Sequence, residues 1–92
     1  MKITLRAFAD YRKIIGSEME LVVPEEKTIG ELLTLLFDRY PKLRSEMFTS
    51  TGELKEYINI FINGRNIAFL KDMVTPLSDG DIVVLFPPVA GG

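Results

Sequence analysis

The sequence predicts an α+β domain of two layers, in which one main helix packs against a mixed sheet of about five strands. Five short segments have the apolar periodicity of strands, whereas only one has the periodicity of a helix of several turns. One helix can cover a single face of a sheet, so two layers are expected. The first and last strands are among the most apolar segments. We therefore expect both in the middle of the sheet, where as neighbours they could run parallel.

Two strands are predicted in the first quarter of the chain. Residues 2–9 and 18–23 alternate apolar and polar side chains, and Pro24 ends the second strand because proline has no amide proton to donate. Residues 10–16 connect them, with apolar side chains at the spacing of a helical turn. The first strand places Ile3, Leu5 and Ala7 on one face and Thr4, Arg6 and Phe8 on the other.

The main helix is predicted over residues 28–40. Thr28 and Glu31 have the spacing of a capping box, in which each side chain bonds the other residue's backbone amide. Pro41 ends the helix, because the residue before a proline avoids helical geometry. The apolar stripe expected to face the core consists of Ile29, Leu32, Leu33, Leu36 and Tyr40.

The following segments are less regular. Residues 42–56 are mixed and polar, with a short helical turn expected around residues 43–48. Residues 57–62 alternate as a strand and lead into Asn63-Gly64, which favours a type I′ hairpin turn because both residues tolerate positive φ. Residues 65–68 are the expected return strand.

The composition excludes several classes of function. The chain has 92 residues, a net charge of −2, no Cys and no His, so disulfides, thiol nucleophiles, Ser-His pairs and His or Cys zinc sites are ruled out. Its lysines and arginines are scattered, which argues against nucleic-acid binding. Because no membrane span or signal peptide is recognisable, we expect a cytoplasmic protein without a membrane partner. A carrier or binding partner fits this composition better than an enzyme acting alone.

The chain ends in Gly91-Gly92, which places the terminal carboxylate on a segment that has no side chains. Such a segment can enter a slot too narrow for other residues. Residues 1–86 are the expected domain, and residues 87–92 are the expected flexible tail. A cloning scar or a frayed terminus is the alternative explanation. The tail residues that precede the final pair are Pro87, Pro88, Val89, Ala90 and Gly91, with Gly92 as the terminal residue.

Three stretches resemble the β-grasp sulfur carriers, the MoaD and ThiS group related to ubiquitin, and most of all the small subunit of molybdopterin synthase. The resemblance implies a β-grasp fold. It also implies that a separate, ubiquitin-activating-like enzyme adenylates Gly92 with ATP and that the product becomes a thiocarboxylate. A larger synthase subunit would then take the sulfur for molybdopterin. The stretches are residues 8–16, residues 76–81 and residues 86–92.

The last strand, Ile82–Phe86, suggests where such partners bind. If Val83 and Leu85 point at the helix, the other side chains form an apolar patch with Phe8, and such patches mark contact sites. The resemblance likewise implies docking through aromatic residues beside the tail. The alternatives are a strand buried on both faces or a bulge that reverses its phase. The candidate docking residues are Phe8, Ile82, Val84 and Phe86.

The sequence leaves other functions open. The alternative hypotheses are a sulfur carrier for thiamine, cysteine or tRNA thiolation, a ubiquitin-like modifier conjugated through Gly92, and a β-grasp interaction module with an inert tail. Asp79 and Asp81 flank Gly80 and are expected to shape a turn, with a metal or acid–base site as the weaker alternative, so no metal ligand is assigned. No phosphate-binding loop is present, so we expect this chain to bind no cofactor and ATP to bind the activating enzyme.

Overall fold

The computed structural model of the protein describes residues 1–88. Within them, none of the helices has the length and apolar character needed to cross a bilayer. Two 3₁₀ turns, Ile67–Phe69 and Asp72–Val74, precede the last strand. The regular elements are β1 (Lys2–Ala7), α1 (Asp10–Ile15), β2 (Glu18–Val22), α2 (Ile29–Arg39), α3 (Pro41–Met47), β3 (Asn59–Ile62), β4 (Arg65–Asn66) and β5 (Ile82–Phe86).

The five strands form one mixed sheet in the order β2-β1-β5-β3-β4. β1 and β5 are neighbours at its centre and run parallel, with Leu5 opposite Val83, whereas the other pairs are antiparallel. The predicted central, parallel arrangement of the first and last strands is therefore confirmed.

The helices cover one face of this sheet, and the core lies between the two layers. Ile3 and Leu5 of β1 and Val83 and Leu85 of β5 are at most 1% exposed, which confirms the predicted strand faces. From the helical layer, the core receives Tyr11, Ile15, Ile29, Leu32, Leu33, Leu36, Leu43 and Met47.

The capping box at the start of α2 is present as predicted. The Glu31 amide donates to Thr28 Oγ1 at 3.2 Å, and the Thr28 amide donates to Glu31 Oε1 at 3.0 Å. This backbone hydrogen bond is the main reason that the pKa of Glu31 is lowered, because it stabilises the carboxylate. α2 ends at Arg39, and Pro41 then starts α3, where its missing amide proton is no loss. The expected turn at residues 43–48 is therefore a complete helix of seven residues.

Four predicted strands are shorter than expected. β1 ends at Ala7 and β2 at Val22, and β3 and β4 are shortened for local reasons. Tyr57 has a φ of 67°, which strand geometry excludes, so β3 begins only at Asn59. After the Asn63-Gly64 turn, where both φ angles are positive as predicted, the return strand stops at Asn66. The side chain of Asn66 accepts from the Ala68 amide at 2.9 Å and so starts a 3₁₀ turn in place of further strand.

Gly30 in α2 provides a test of how the helical layer packs. A Cβ at this position would lie 2.9 Å from the carbonyl oxygen of Met73, which is closer than real Cβ contacts. We expect Gly30→Ala to lower the free energy of unfolding by about 1–3 kcal/mol, although the same change in an exposed helix stabilises by about 1 kcal/mol. Urea unfolding measures the effect, with Asp38→Ala on the exposed face of α2 as the control. A variant as stable as the wild type would show that this contact is absent.

The buried phenol of Tyr11 gives a pH-dependent prediction. Burial raises the pKa of Tyr11 to about 12, with smaller contributions from the carboxylates of Glu46 and Asp10. The unfolded phenol ionises near 10 while the folded one keeps its proton, so this group makes stability fall as pH rises from about 10 to 12. At about pH 11, the free energy of unfolding of Tyr11→Phe should therefore have fallen by about 1 kcal/mol less than that of the wild type. At neutral pH it should not destabilise, because the hydroxyl has no partner among residues 1–88.

Unfolding curves of both proteins at neutral pH and at about pH 11 measure this difference. Tyr57→Phe is the control, since Tyr57 is 74% exposed. Identical pH dependence of Tyr11→Phe and the wild type would contradict the assignment.

Candidate functional site

The site begins where the last strand ends. β5 stops at Phe86, after which Pro87 is half-buried and Pro88 is exposed. The remaining tail residues assigned from the sequence, Val89, Ala90, Gly91 and Gly92, lie outside the described residues. The reactive terminus and the flexible tail therefore stay predictions, while the surface at the base of the tail can be described.

The face of the sheet opposite the helices carries the apolar patch expected from the sequence. Val83 and Leu85 are fully buried, whereas Ile82 on the other face of β5 is 42% exposed. Val84 and Phe86 share that open face and are partly exposed. The strand is thus neither buried on both faces nor reversed in phase by a bulge.

Three phenylalanines form a cluster at the tail end of this face. The rings of Phe8 and Phe86 are stacked, with centroids 4.5 Å apart and planes 13° from parallel. Phe61 of β3 meets Phe86 edge-on, with centroids 5.7 Å apart. The Phe8 amide also donates to the carbonyl of Leu85 at 3.2 Å, which fixes Phe8 next to β5. We call Phe8, Phe61 and Phe86 the aromatic cluster.

The aromatic cluster borders a shallow depression of about 270 Å³. Arg6 lies at its rim, where its Nε donates to Glu18 Oε1 at 2.9 Å. Ile82, which was expected at the docking surface, shares the open face but does not line the depression. The lining residues are Arg6, Phe8, Phe61, Gly64, Val84 and Phe86.

Phe61, Gly64 and Arg6 were not among the residues assigned to docking from the sequence. The alternation of β3 does place Phe61 on one face of the strand and the buried Ile60 and Ile62 on the other face. Its position beside Val84, however, depends on the register between β3 and β5, which a local pattern does not contain.

The acidic turn before β5 is structural. Asp81 is 8% exposed, and its two oxygens accept from the Ser78 amide at 2.7 Å and from Asn63 Nδ2 at 2.8 Å. Asp79 Oδ1 accepts from the Lys2 amide at 2.7 Å and so ties the turn to β1. In the part of the chain that the structure describes, no group of three acidic residues is placed to hold a metal ion. The predicted turn-shaping role is confirmed for Asp81, whereas Asp79 bonds the backbone of β1 and not that of its own turn.

The arrangement offers an apolar surface for another protein at the point where the tail leaves the domain. A partly exposed aromatic cluster of this kind can insert into a complementary pocket, with a charged residue at its rim. The site is thus suited to docking.

Comparison with known proteins gives a consistent result. The profile described as the ThiS family matches residues 5–92. Small archaeal modifier protein 3 of Haloferax volcanii is 39% identical over 93 residues, which covers all of both chains. A protein of Archaeoglobus fulgidus, provisionally named a sulfur carrier protein, is 37% identical over 68 residues, covering 74% of this chain and 77% of that protein.

A solved structure extends the comparison to the fold. The protein from Pyrococcus furiosus provisionally assigned as subunit 1 of a molybdopterin converting factor superposes with a TM-score of 0.77 at 30% identity, covering 97% of this chain and 99% of that one. The β-grasp fold implied by the resemblance is confirmed. The chain belongs to the ThiS family of small β-grasp sulfur carriers and ubiquitin-like modifiers.

Proposed function

We propose that this protein is a sulfur carrier whose terminal carboxylate, on Gly92, is converted to a thiocarboxylate that supplies sulfur for molybdopterin, the organic part of the molybdenum or tungsten cofactor. The observation that carries the proposal is the family match, which runs through Gly92 at the end of the chain. Similarity to the assigned Pyrococcus furiosus converting-factor subunit supports the molybdopterin acceptor.

The chemistry requires activation because a carboxylate is a poor electrophile. An oxygen of the Gly92 carboxylate attacks the α-phosphorus of ATP and releases pyrophosphate, which leaves an acyl-adenylate with AMP as a good leaving group. A donor that delivers sulfur at the oxidation level of sulfide, written as HS⁻, then attacks the acyl carbon and expels AMP, which leaves the thiocarboxylate with sulfur in place of one carboxylate oxygen. ATP binds a separate, ubiquitin-activating-like enzyme, and this chain provides only the group that reacts. Since the cycle uses ATP, we place it in the cytoplasm.

The aromatic cluster supports this role because of its position. Phe86 is the last residue of β5, so a partner that buries the cluster also receives the tail at a defined place. The two successive partners, the activating enzyme and the large synthase subunit, need the same presentation of Gly92. We propose that both dock on Phe8, Val84 and Phe86, with Phe61 completing the surface and Ile82 at its margin.

A second function, protein modification, is favoured by a specific observation. The full-length identity of 39% is with a protein named as a small archaeal modifier. In that case the activated Gly92 carbonyl would be attacked by a lysine amine of a target protein, forming an isopeptide bond and releasing the leaving group. Carriers for thiamine, cysteine or tRNA thiolation would use the same terminus with another sulfur acceptor.

The terminus is tested by intact mass spectrometry of the protein purified from its native cells. We expect a fraction whose mass is raised by the difference between one sulfur and one oxygen atom. Deletion of Gly91 and Gly92 should abolish this species and the molybdenum-cofactor-dependent growth that the wild-type gene restores. The control Val89→Ala keeps Gly91 and Gly92, so it should retain both the thiocarboxylate and the growth.

Three results would count against the proposal. Full restoration of growth by the deletion variant would exclude a carrier, and thiocarboxylate without any growth defect would assign the sulfur to another acceptor. Recovery of Gly92 only in isopeptide bonds with lysines would establish the modifier instead.

The docking surface is tested by Phe8→Asp. Phe8 is 41% exposed, so the variant should fold, but a charge within the aromatic cluster should slow adenylation of Gly92 by the organism's purified activating enzyme at least about tenfold, measured as ATP-dependent release of pyrophosphate. Phe69→Asp is a matched control, because Phe69 is 88% exposed and lies outside the cluster. Equal rates for the two variants would rule out this docking surface, while circular dichroism checks that both are folded.

A further inference from the structure

The outer edge of β2 offers unpaired backbone groups. β2 is an end strand of the sheet and pairs only with β1 in the part of the chain that the structure covers. The Val23 amide donates to Met1 at 2.8 Å and the Ala7 amide donates to Ser17 at 3.1 Å, so the odd-numbered residues of this segment bond β1. Antiparallel pairing alternates, so the amides and carbonyls of Glu18, Glu20 and Val22 point away from the sheet.

A cleft of about 360 Å³ runs beside this edge, between β2 and α2. Leu35 on the flank of α2 is 44% exposed there. The cleft therefore combines an apolar wall with backbone hydrogen-bonding groups, which is the combination that an added strand requires. Its apolar lining is formed by Leu21, Val22, Val23, Leu32, Leu35 and Leu36.

The charges along the edge indicate which strand fits. Glu18 is paired with Arg6 at 2.9 Å. Two charged residues line the cleft, Glu20 on β2 and Arg39 at the end of α2, and neither makes an ion pair within residues 1–88. Glu20 is the one that lies on the edge strand itself. A lysine or arginine on an added strand would lie opposite Glu20 and supply the missing charge.

The same carboxylates disfavour a second copy of this chain as the occupant. If two β2 strands paired in an antiparallel register centred on Glu20, the two Glu20 side chains would face each other. In a register centred on Met19, Glu18 of each copy would face Glu20 of the other. Like charges directly opposite one another destabilise strand pairing, and charged residues on an edge strand commonly prevent self-association.

We propose that the cleft between β2 and α2 binds an extended segment of a partner protein as an additional strand, with apolar side chains facing Leu35 and a lysine or arginine opposite Glu20. This surface differs from the aromatic cluster, because β1 separates β2 from β5 in the sheet. A partner can thus hold the carrier by its edge while the tail end remains available to an enzyme.

Titration of the ¹⁵N-labelled protein with two short synthetic peptides tests this proposal. One alternates isoleucine with lysine, and the other alternates isoleucine with glutamate. We expect the lysine peptide to bind more tightly and to shift the amide signals of Glu18, Glu20, Val22 and Leu35. Glu20→Lys should weaken its binding about tenfold. Glu56→Lys, the same charge change on an exposed residue outside the cleft, should not.

Backbone pairing is tested on the wild-type protein. Two forms of the lysine peptide are N-methylated at alternate positions, one on the even and one on the odd residues. Only one set of amides in an added strand faces β2, so one form should lose binding and the other should keep it. Equal binding of both forms, no binding of the lysine peptide, or shifts confined to Phe8 and Phe61 would overturn the proposal. Tighter binding of the glutamate peptide would also overturn the proposal, because Arg39 would then be the selecting charge. Dimerisation through β2 would overturn it as well.

Discussion

The parallel pairing of β1 with β5 is the constraint on which the rest of the structure depends. It places the first and last strands at the centre of one sheet, where Leu5 and Val83 are opposite each other and buried. The turn before β5 is hydrogen-bonded to β1. The Gly80 amide donates to the Lys2 carbonyl at 2.8 Å, and the Thr4 amide donates to the Asp81 carbonyl at 3.0 Å. The point where the tail leaves is thereby fixed to the core.

β5 also shows how one short strand serves two purposes. Its alternation sends Val83 and Leu85 into the core and Val84 and Phe86 to the open face, so burial of the first pair determines the exposure of the second. A shift of one residue in register would exchange the two sets. The aromatic surface at the base of the tail is therefore a direct consequence of correct packing in the core.

Local signals in the sequence predicted those parts of the fold that depend on a few adjacent residues. The capping box of Thr28 and Glu31, the Asn63-Gly64 turn and the bounds of β5 are of this kind. The central pairing of β1 with β5 was also predicted, because both strands are strongly apolar, but other features that depend on contacts between distant segments were missed. Phe61 joins the aromatic cluster only through the register of β3 on β5, and the cleft at Leu35 exists only because α2 lies beside the edge of β2.

The state of the aromatic cluster bears on how a small carrier can serve several partners. Phe8 and Phe86 are already stacked in the free protein, so docking does not have to order two mobile rings, and less conformational entropy is lost on binding. A preformed surface also gives each partner the same starting point for the tail. Specificity between partners must then come from residues outside the cluster. The charged rim at Arg6 and the separate cleft along β2 are two such places in the described part of the chain.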